Sequence, residues 1–285
     1  MGTVAAPFAW RSLRGNSSVS LAEAALPHSR KRFGQHFLHD PGVIQRILQA
    51  IQPKPEQTLV EIGPGPGAIT RPLLEAAGQL VAVELDYNLI PLLRDYCQGA
   101  GDLRIFQADA LTFDFSALRQ DTRRLRVVGN LPYNISTPLL FHLLQQLDAV
   151  QDMHFMLQKE VVERLAAGPG KSAYGRLSVM IQYRCEVQPL FAIGRGAFSP
   201  PPRVESAFVR LLPHRHPPVA VTDESRFTEL VRRAFGQRRK TLRNTLRGLL
   251  PESAIAGLGI DPRTRPENLS LAEFAALSNC HYERL

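Results

Sequence analysis

The run Asn130-Leu131-Pro132-Tyr133 carries, within four residues, the groups that chemistry on an aromatic amine requires. The amino nitrogen of a purine is a poor nucleophile because its lone pair is delocalised into the ring. Two acceptors holding its two hydrogens favour a pyramidal nitrogen and return the lone pair to it. The Asn130 side-chain oxygen and a main-chain carbonyl, at Leu131 or Pro132, can serve as that pair. Tyr133 offers a flat face for a base taken out of its stack, a contact worth about 1–3 kcal/mol per base. Without that chemistry the tetrad is simply a turn.

A second group lies upstream. Glu61-Ile-Gly63-Pro-Gly65-Pro-Gly67 stands between a short apolar run and a helical pattern. Glycines there let the main chain approach a ligand closely and adopt positive φ. The helix that follows adds unpaired N–H groups. The spacing is GxGxG, not the GxGxxG of pyrophosphate binders, and no Lys-Ser/Thr follows to grip a phosphate. Glu84 comes 21 residues after Gly63, at the end of the next apolar run, where a carboxylate can accept both hydroxyls of a ribose. Asp109 ends a third run and can accept from the amino group of an adenine. Gly63, Gly65, Glu84 and Asp109 therefore describe a nucleoside pocket. Without a phosphate grip, a positively charged sulfonium nucleoside, S-adenosylmethionine, fits it best. A P-loop is excluded, and a dinucleotide-dependent oxidoreductase is disfavoured.

Alternating elements must position these residues. Thr58–Ile62, Leu80–Leu85, Leu103–Gln107, Arg126–Gly129 and Met153–Gln158 read as strands. Helical patterns over 68–77, 88–97, 137–147 and 159–166 separate or follow them. Asp86 or Asn88 would open the second of these helices, and Thr137 would cap the third with Pro138 at its first position. Cys185–Phe191 and Ser206–Leu212 read as an antiparallel pair. Strands separated by helices imply a parallel sheet covered on both faces. The expected fold is α/β: a Rossmann-like, seven-stranded, S-adenosylmethionine-dependent methyltransferase domain over residues 28–212. A linker over 213–221 (Pro213–Pro218 being PHRHPP) and a small all-α domain over 222–285 complete it. Residues 1–27 read as a disordered extension; a misassigned start and a targeting segment are the other readings.

The chain has 285 residues, 44% of them hydrophobic and 21% charged, with net charge +8. No run approaches the roughly 18 apolar residues of a spanning helix. Three scattered cysteines without a CxxC pair argue against a disulfide framework or a zinc site. Charge is uneven: residues 40–170 carry 11 bases and 15 acids, residues 171–285 carry 18 and 10. Arg232, Arg233, Arg238, Arg239, Lys240, Arg243 and Arg247 fall within sixteen residues that hold no acid. They read as one arginine face of amphipathic helices, suited to phosphates of a nucleic acid.

Longer blocks then carry a resemblance. Arg32–Leu38 (RFGQHFL), Glu61–Thr70 (EIGPGPGAIT), Gly129–Pro138 (GNLPYNISTP), Met153–Glu160, Tyr174–Met180, Phe198–Arg210 (FSPPPRVESAFVR) and Gln237–Asn244 (QRRKTLRN) resemble the small-subunit ribosomal RNA adenine dimethyltransferase family. The bacterial members that confer kasugamycin sensitivity are the most similar. The resemblance implies dimethylation, at N6, of two adjacent adenines near the 3′ end of 16S rRNA, late in 30S subunit biogenesis. It implies a monomer acting in the cytoplasm on the 30S precursor, with S-adenosylmethionine as cofactor and no membrane or metal. By position it implies cofactor contacts at His36, Leu38, Gly63, Glu84, Asp109 and Asn130. Many members have Asn where this chain has His36, so that contact runs through side chain or backbone. Target-base contacts fall on Asn130–Tyr133 and on Phe198, whose alternative role is a buried anchor. The competing readings are a 23S rRNA adenine N6-methyltransferase of the macrolide-resistance type and a non-catalytic assembly factor of the same fold.

Overall fold

The computed structural model describes residues 36–119, 121–237 and 239–280. The 1–27 extension, most of the Arg32–Leu38 block and Arg238 lie outside them.

A seven-stranded sheet organises the molecule. While β1 (Phe37–Leu38) and β8 (Phe198–Ser199) form a separate two-stranded pair, the strands of this sheet are, in chain order, β2 (Thr58–Ile62), β3 (Gln79–Glu84), β4 (Asp102–Gln107), β5 (Leu125–Asn130), β6 (Val150–Gln158), β7 (Cys185–Ile193) and β9 (Ser206–Pro213). Their spatial order is β4-β3-β2-β5-β6-β9-β7. The first five pair in parallel; β9 runs antiparallel to both β6 and β7. The expected sheet of five parallel strands and a late antiparallel pair is therefore present, with most strands extended by one to three residues. Strand order reverses between β2 and β5, the kind of switch point where open α/β sheets bind ligands.

Residue alternation assigns the faces. Leu59, Leu80, Ala82, Val128 and Met156 pack under α1 (Pro41–Ile51), α2 (Thr70–Ala77) and α3 (Leu89–Cys97). Val60, Val81, Val127 and Phe155 face the other way, toward α4 (Ser136–Leu144), α5 (Lys159–Ala166) and α6 (Arg176–Arg184). Sequence reading did not foresee α1 or α6. The former begins where Asp40 Oδ1 accepts the Val43 N–H at 2.9 Å, with Pro41 in its first turn.

Two boundaries are corrected. The helix expected over 137–147 is α4 at Ser136–Leu144, and Thr137 lies inside it rather than capping it. Pro138 is tolerated there because N–H groups of a first turn have no intrahelical partner. Asn88 does not cap α3 with its side chain; it donates instead to Asp86 Oδ1 at 2.8 Å.

Beyond β9 the described elements are helices: α7 (Glu224–Ala234), α8 (Leu242–Thr245), α9 (Glu252–Gly257) and α10 (Leu271–Asn279). Their apolar residues, such as Phe227, Leu230 and Phe274, join the same buried cluster as the α4–α6 side of the sheet. Tyr183 of α6 meets Phe227 with ring centroids 4.8 Å apart, and Arg184 pairs with Glu224 at 2.7 Å. The helical region is thus welded to the sheet domain by continuous packing.

Candidate active site

A cavity of about 220 Å³ opens at the C-terminal ends of β2, β3, β4 and β5. His36, Leu38, Gly63, Gly65, Glu84, Asp109 and Asn130–Tyr133 all border it. The structure therefore gathers the sequence-derived nucleoside pocket and the tetrad around one space.

The glycine loop takes its shape from positive φ at Gly63 (+64°), Gly65 (+58°) and Gly67 (+100°), a conformation that disfavours any residue with a Cβ. Gly63 N–H donates to Val83 O at 2.9 Å, tying the loop to β3. Glu84 tightens the same corner. Its Oε2 accepts from Gly65 N–H at 3.1 Å and its Oε1 from Asp86 N–H at 2.8 Å. Burial pushes the Glu84 carboxyl up, and those N–H groups oppose the rise. Each oxygen retains a lone pair for a ribose hydroxyl. Asp109 is exposed; its Oδ1 accepts from Leu111 N–H at 2.9 Å, leaving Oδ2 for a ligand.

A further glycine seats the tetrad. A Cβ on Gly129 would lie 2.6 Å from Ile62 O, so only glycine lets β5 run this close to β2 just before Asn130. Asn130 Nδ2 donates to His36 O at 2.9 Å. Tyr133 is half-buried and its hydroxyl lies 2.7 Å from Ser206 Oγ, at the start of β9. Burial raises the phenol's pKa, so it is neutral at pH 7. The His36 and Tyr133 rings stand 5.5 Å apart.

His36 reaches the site by a device invisible in the periodicity. β1 (Phe37–Leu38) pairs antiparallel with β8 (Phe198–Ser199), and His36 Nδ1 lies 2.8 Å from Pro200 O. The His36 ring is thus engaged with Pro200, while its carbonyl holds Asn130. Phe198 does not border the cavity. It is 2% exposed and packs into the apolar layer beneath α1, which gives it the anchoring role. The pairing of β8 with β1 turns its ring inward.

The basic segment departs from expectation as well. α7 ends at Ala234, residues 235–237 and 239–241 lie outside any helix, and φ is +68° at Arg239. The bases therefore do not share one helical face. Arg232 and Arg233 both pair with Glu229, at 2.6 and 2.7 Å, one turn upstream of the acid-free stretch. Arg239, Lys240 and Arg243 are exposed.

Comparison with known proteins places these features in a family. A family model described as ribosomal RNA adenine dimethylase matches residues 27–282. The chain belongs to the ribosomal RNA adenine dimethylase family. A relative from Nitrosococcus oceani, called ribosomal RNA small subunit methyltransferase A, is 58% identical over 250 residues, covering 88% of this chain and 95% of its own. Its namesake from Pseudomonas syringae is 56% identical over 257 residues, covering 90% and 96%. Among solved structures, a dimethyladenosine transferase from Plasmodium falciparum superposes with a TM-score of 0.72 at 26% identity, over 85% of this chain and 96% of that one. The 23S rRNA methyltransferase ErmE, at 24% identity and a TM-score of 0.67, shares the fold.

This adenine dimethylase is an S-adenosylmethionine-dependent methyltransferase, and its residues fit that cofactor. A Cβ on Gly63 would meet nothing within 4 Å, so the space against the loop is open to a ligand. The residues lining the cavity include four acids, Glu61, Glu84, Asp86 and Asp109, and neither Lys nor Arg, which suits a cationic nucleoside. Sequence reading assigned no role to Glu61, which lines the cavity, or to Ser206, which supports Tyr133. The signal for Glu61 was an acid inside the otherwise apolar strand Thr58–Ile62. Ser206 gave none, because only the antiparallel return of β9 brings it to Tyr133.

Proposed function

We propose that this protein methylates N6 of two adjacent adenines near the 3′ end of 16S rRNA, each twice, on a precursor of the 30S subunit in the cytoplasm. It acts as a monomer. The observation that carries the reading is the Asn130 amide, whose nitrogen is held by His36 O so that its oxygen is left for the cavity.

Within this proposal Asn130 Oδ1 accepts one hydrogen of the target amine. Leu131 O accepts the other, since Pro132 O already accepts the Ile135 N–H at 3.1 Å. Tyr133, fixed through Ser206, stacks on the everted base. Gly63, Gly65, Glu84 and Asp109 hold the nucleoside of the cofactor, and Leu38 closes the apolar wall beside it. When bound, S-adenosylmethionine supplies an electrophilic methyl group on a sulfonium. Placement of the two reacting atoms supplies the acceleration, up to about 7–11 kcal/mol for well-oriented reactants. No general base is assigned, because an amine that has gained a methyl sheds its proton readily to water. Arg239, Lys240 and Arg243, with Arg238, contact rRNA phosphates; Arg232 and Arg233 join them once released from Glu229.

The test is transfer of labelled methyl groups to 30S subunits from a strain lacking this modification, with product nucleosides identified by mass. Dimethyladenosine at two neighbouring 16S positions supports the reading. Methylation confined to 23S rRNA overturns it.

A further inference from the structure

We infer that Glu61 is the proton-exchanging counter-charge of the methyl-donor cavity, ionised while a sulfonium is bound and protonated when only the neutral thioether product remains. The inference rests on the methyltransferase reading above and goes beyond it in giving the cavity a proton cycle.

The Glu61 side chain is 1% exposed, borders the cavity, and has no hydrogen-bond partner at Oε2 among the described residues. A buried carboxylate with a vacant acceptor is costly unless a cation meets it. The surroundings offer none. Glu61 shares the α1–α3 face of the sheet with Leu59. From β3, Glu84 adds a second carboxylate. From α3, Cys97 presents a thiol that burial pushes up to about 12, hence neutral. From α2 come the buried Thr70 hydroxyl and Arg71, which is paired with Glu75 at 2.9 Å. The facing residue on β5 is the uncharged Val128.

Burial accordingly pushes Glu61 up to about 8, with the Thr70 hydroxyl opposing and Glu84 reinforcing the rise. Without a ligand it holds a proton at neutral pH. A cation brought into a cavity that no Lys or Arg borders favours the ionised form. During transfer the carbon–sulfur bond breaks, a carbon–nitrogen bond forms, and the amine loses one proton to solvent. The cavity is then poorer by one positive charge. Glu61, left ionised beside a neutral thioether, takes one proton from solvent, and arrival of the next sulfonium expels it. Donor affinity therefore rises with pH up to the Glu61 pKa, whereas product affinity does not.

The experiment is titration calorimetry of the full-length protein at pH 6.5, with S-adenosylmethionine and separately S-adenosylhomocysteine, in two buffers of different ionisation enthalpy. At that pH an α-amino group, with its pKa of about 7.7–8.0, is still charged on both ligands. About one proton should leave per S-adenosylmethionine bound and none per S-adenosylhomocysteine. The donor Kd should fall roughly tenfold from pH 5.5 to 6.5. Glu61→Gln should abolish both the release and the pH dependence while keeping the wild-type circular dichroism. Should that variant not fold, the contrast between the two ligands on the wild type decides alone. Donor binding without buffer-dependent heat, or equal proton release by both ligands, overturns the inference. A complete failure of S-adenosylmethionine to bind overturns the underlying reading instead.

Discussion

The main-chain carbonyl of His36 accepts a hydrogen bond of 2.9 Å from the side-chain amide nitrogen of Asn130. Because His36 precedes β1, and β1 is clamped by β8, a strand of two residues decides which end of the amide is free. The free end is the oxygen, which is the end an amine needs. Asn130→Asp removes the donor and sets a carboxylate against His36 O. We expect kcat on undermethylated 30S subunits to fall by about 10²–10³, the usual loss for one oriented polar group at a reaction centre. The melting temperature reports whether the variant stays folded. Wild-type turnover by folded Asn130→Asp would remove Asn130 from the mechanism.

The hydroxyl of Tyr133 is fixed by Ser206 Oγ, which is fully buried. One neutral hydrogen bond contributes about 0.5–1.5 kcal/mol. Ser206→Ala should therefore reduce kcat/KM for 30S by about 2- to 10-fold, whereas Tyr133→Ala, which also loses stacking, should cost considerably more. Tyr133→Phe should resemble Ser206→Ala, and the double variant should add little to either. Steady-state kinetics of the four proteins measure this. Fully additive losses would show that the two side chains act separately.

Legibility in the sequence followed the range of the interactions. The β2–glycine loop–α2 unit and Glu84 were readable because apolar period, glycine spacing and a terminal acid all lie within some 25 residues. The tetrad was readable because its chemistry is contiguous. What escaped depends on distant pairing. β1 and β8 are two residues each and 160 apart, so no periodicity reveals them, yet they bury Phe198 and present His36 O to Asn130. Glu229 lies just outside the acid-free stretch, and only helical spacing brings it to Arg232 and Arg233. The end of α7 at Ala234, by contrast, is marked locally by Gly236 just past the Phe235 cap, a helix-stop signal that the run of bases obscured.

Pairing with Glu229 sorts the basic residues into two classes. Arg232, Arg233, Arg239, Lys240 and Arg243 are all exposed, and Glu229 engages the first two, which hold its carboxyl down at about 2. Arg239→Ala, Lys240→Ala and Arg243→Ala together should weaken 30S binding and flatten its log–log salt dependence by about 0.7–0.9 per lost phosphate contact. Glu229→Gln should act oppositely, tightening binding by freeing two guanidinium groups. Filter binding across a salt series distinguishes the cases. An unchanged slope in the triple variant would place the rRNA contact elsewhere.

The end of the sheet opposite the cavity holds a buried charge network that sets a pH limit on stability. Asp152 receives Arg126 through Nε at 2.8 Å and Nη2 at 3.0 Å, and Arg210 at 3.2 Å. His154, fully buried two residues along β6, has no hydrogen-bond partner at either ring nitrogen among the described residues, and its Nδ1 lies 3.8 Å from Asp152 Oδ1. Burial pushes its pKa down to about 4; Asp152 opposes this, while Arg126 and Arg210 reinforce it. The folded protein thus keeps His154 neutral, whereas the unfolded chain protonates it near 6.5. Its contribution is complete above pH 6.5 and is lost as pH falls toward 4. One proton over 1.5 pH units corresponds to about 2 kcal/mol between pH 6.5 and 5. Glu61 works in the reverse sense, because its raised pKa favours folding at low pH, so the diagnostic quantity is the difference between proteins. His154→Leu sacrifices no hydrogen bond and should lose less stability than wild type on going from pH 6.5 to 5, by about that amount. Asp152→Asn leaves two guanidinium groups short of a counter-charge and should cost about 3–5 kcal/mol at every pH in that range. Urea unfolding at the two pH values checks both, and parallel pH responses of wild type and His154→Leu would exclude His154 as the titrating group.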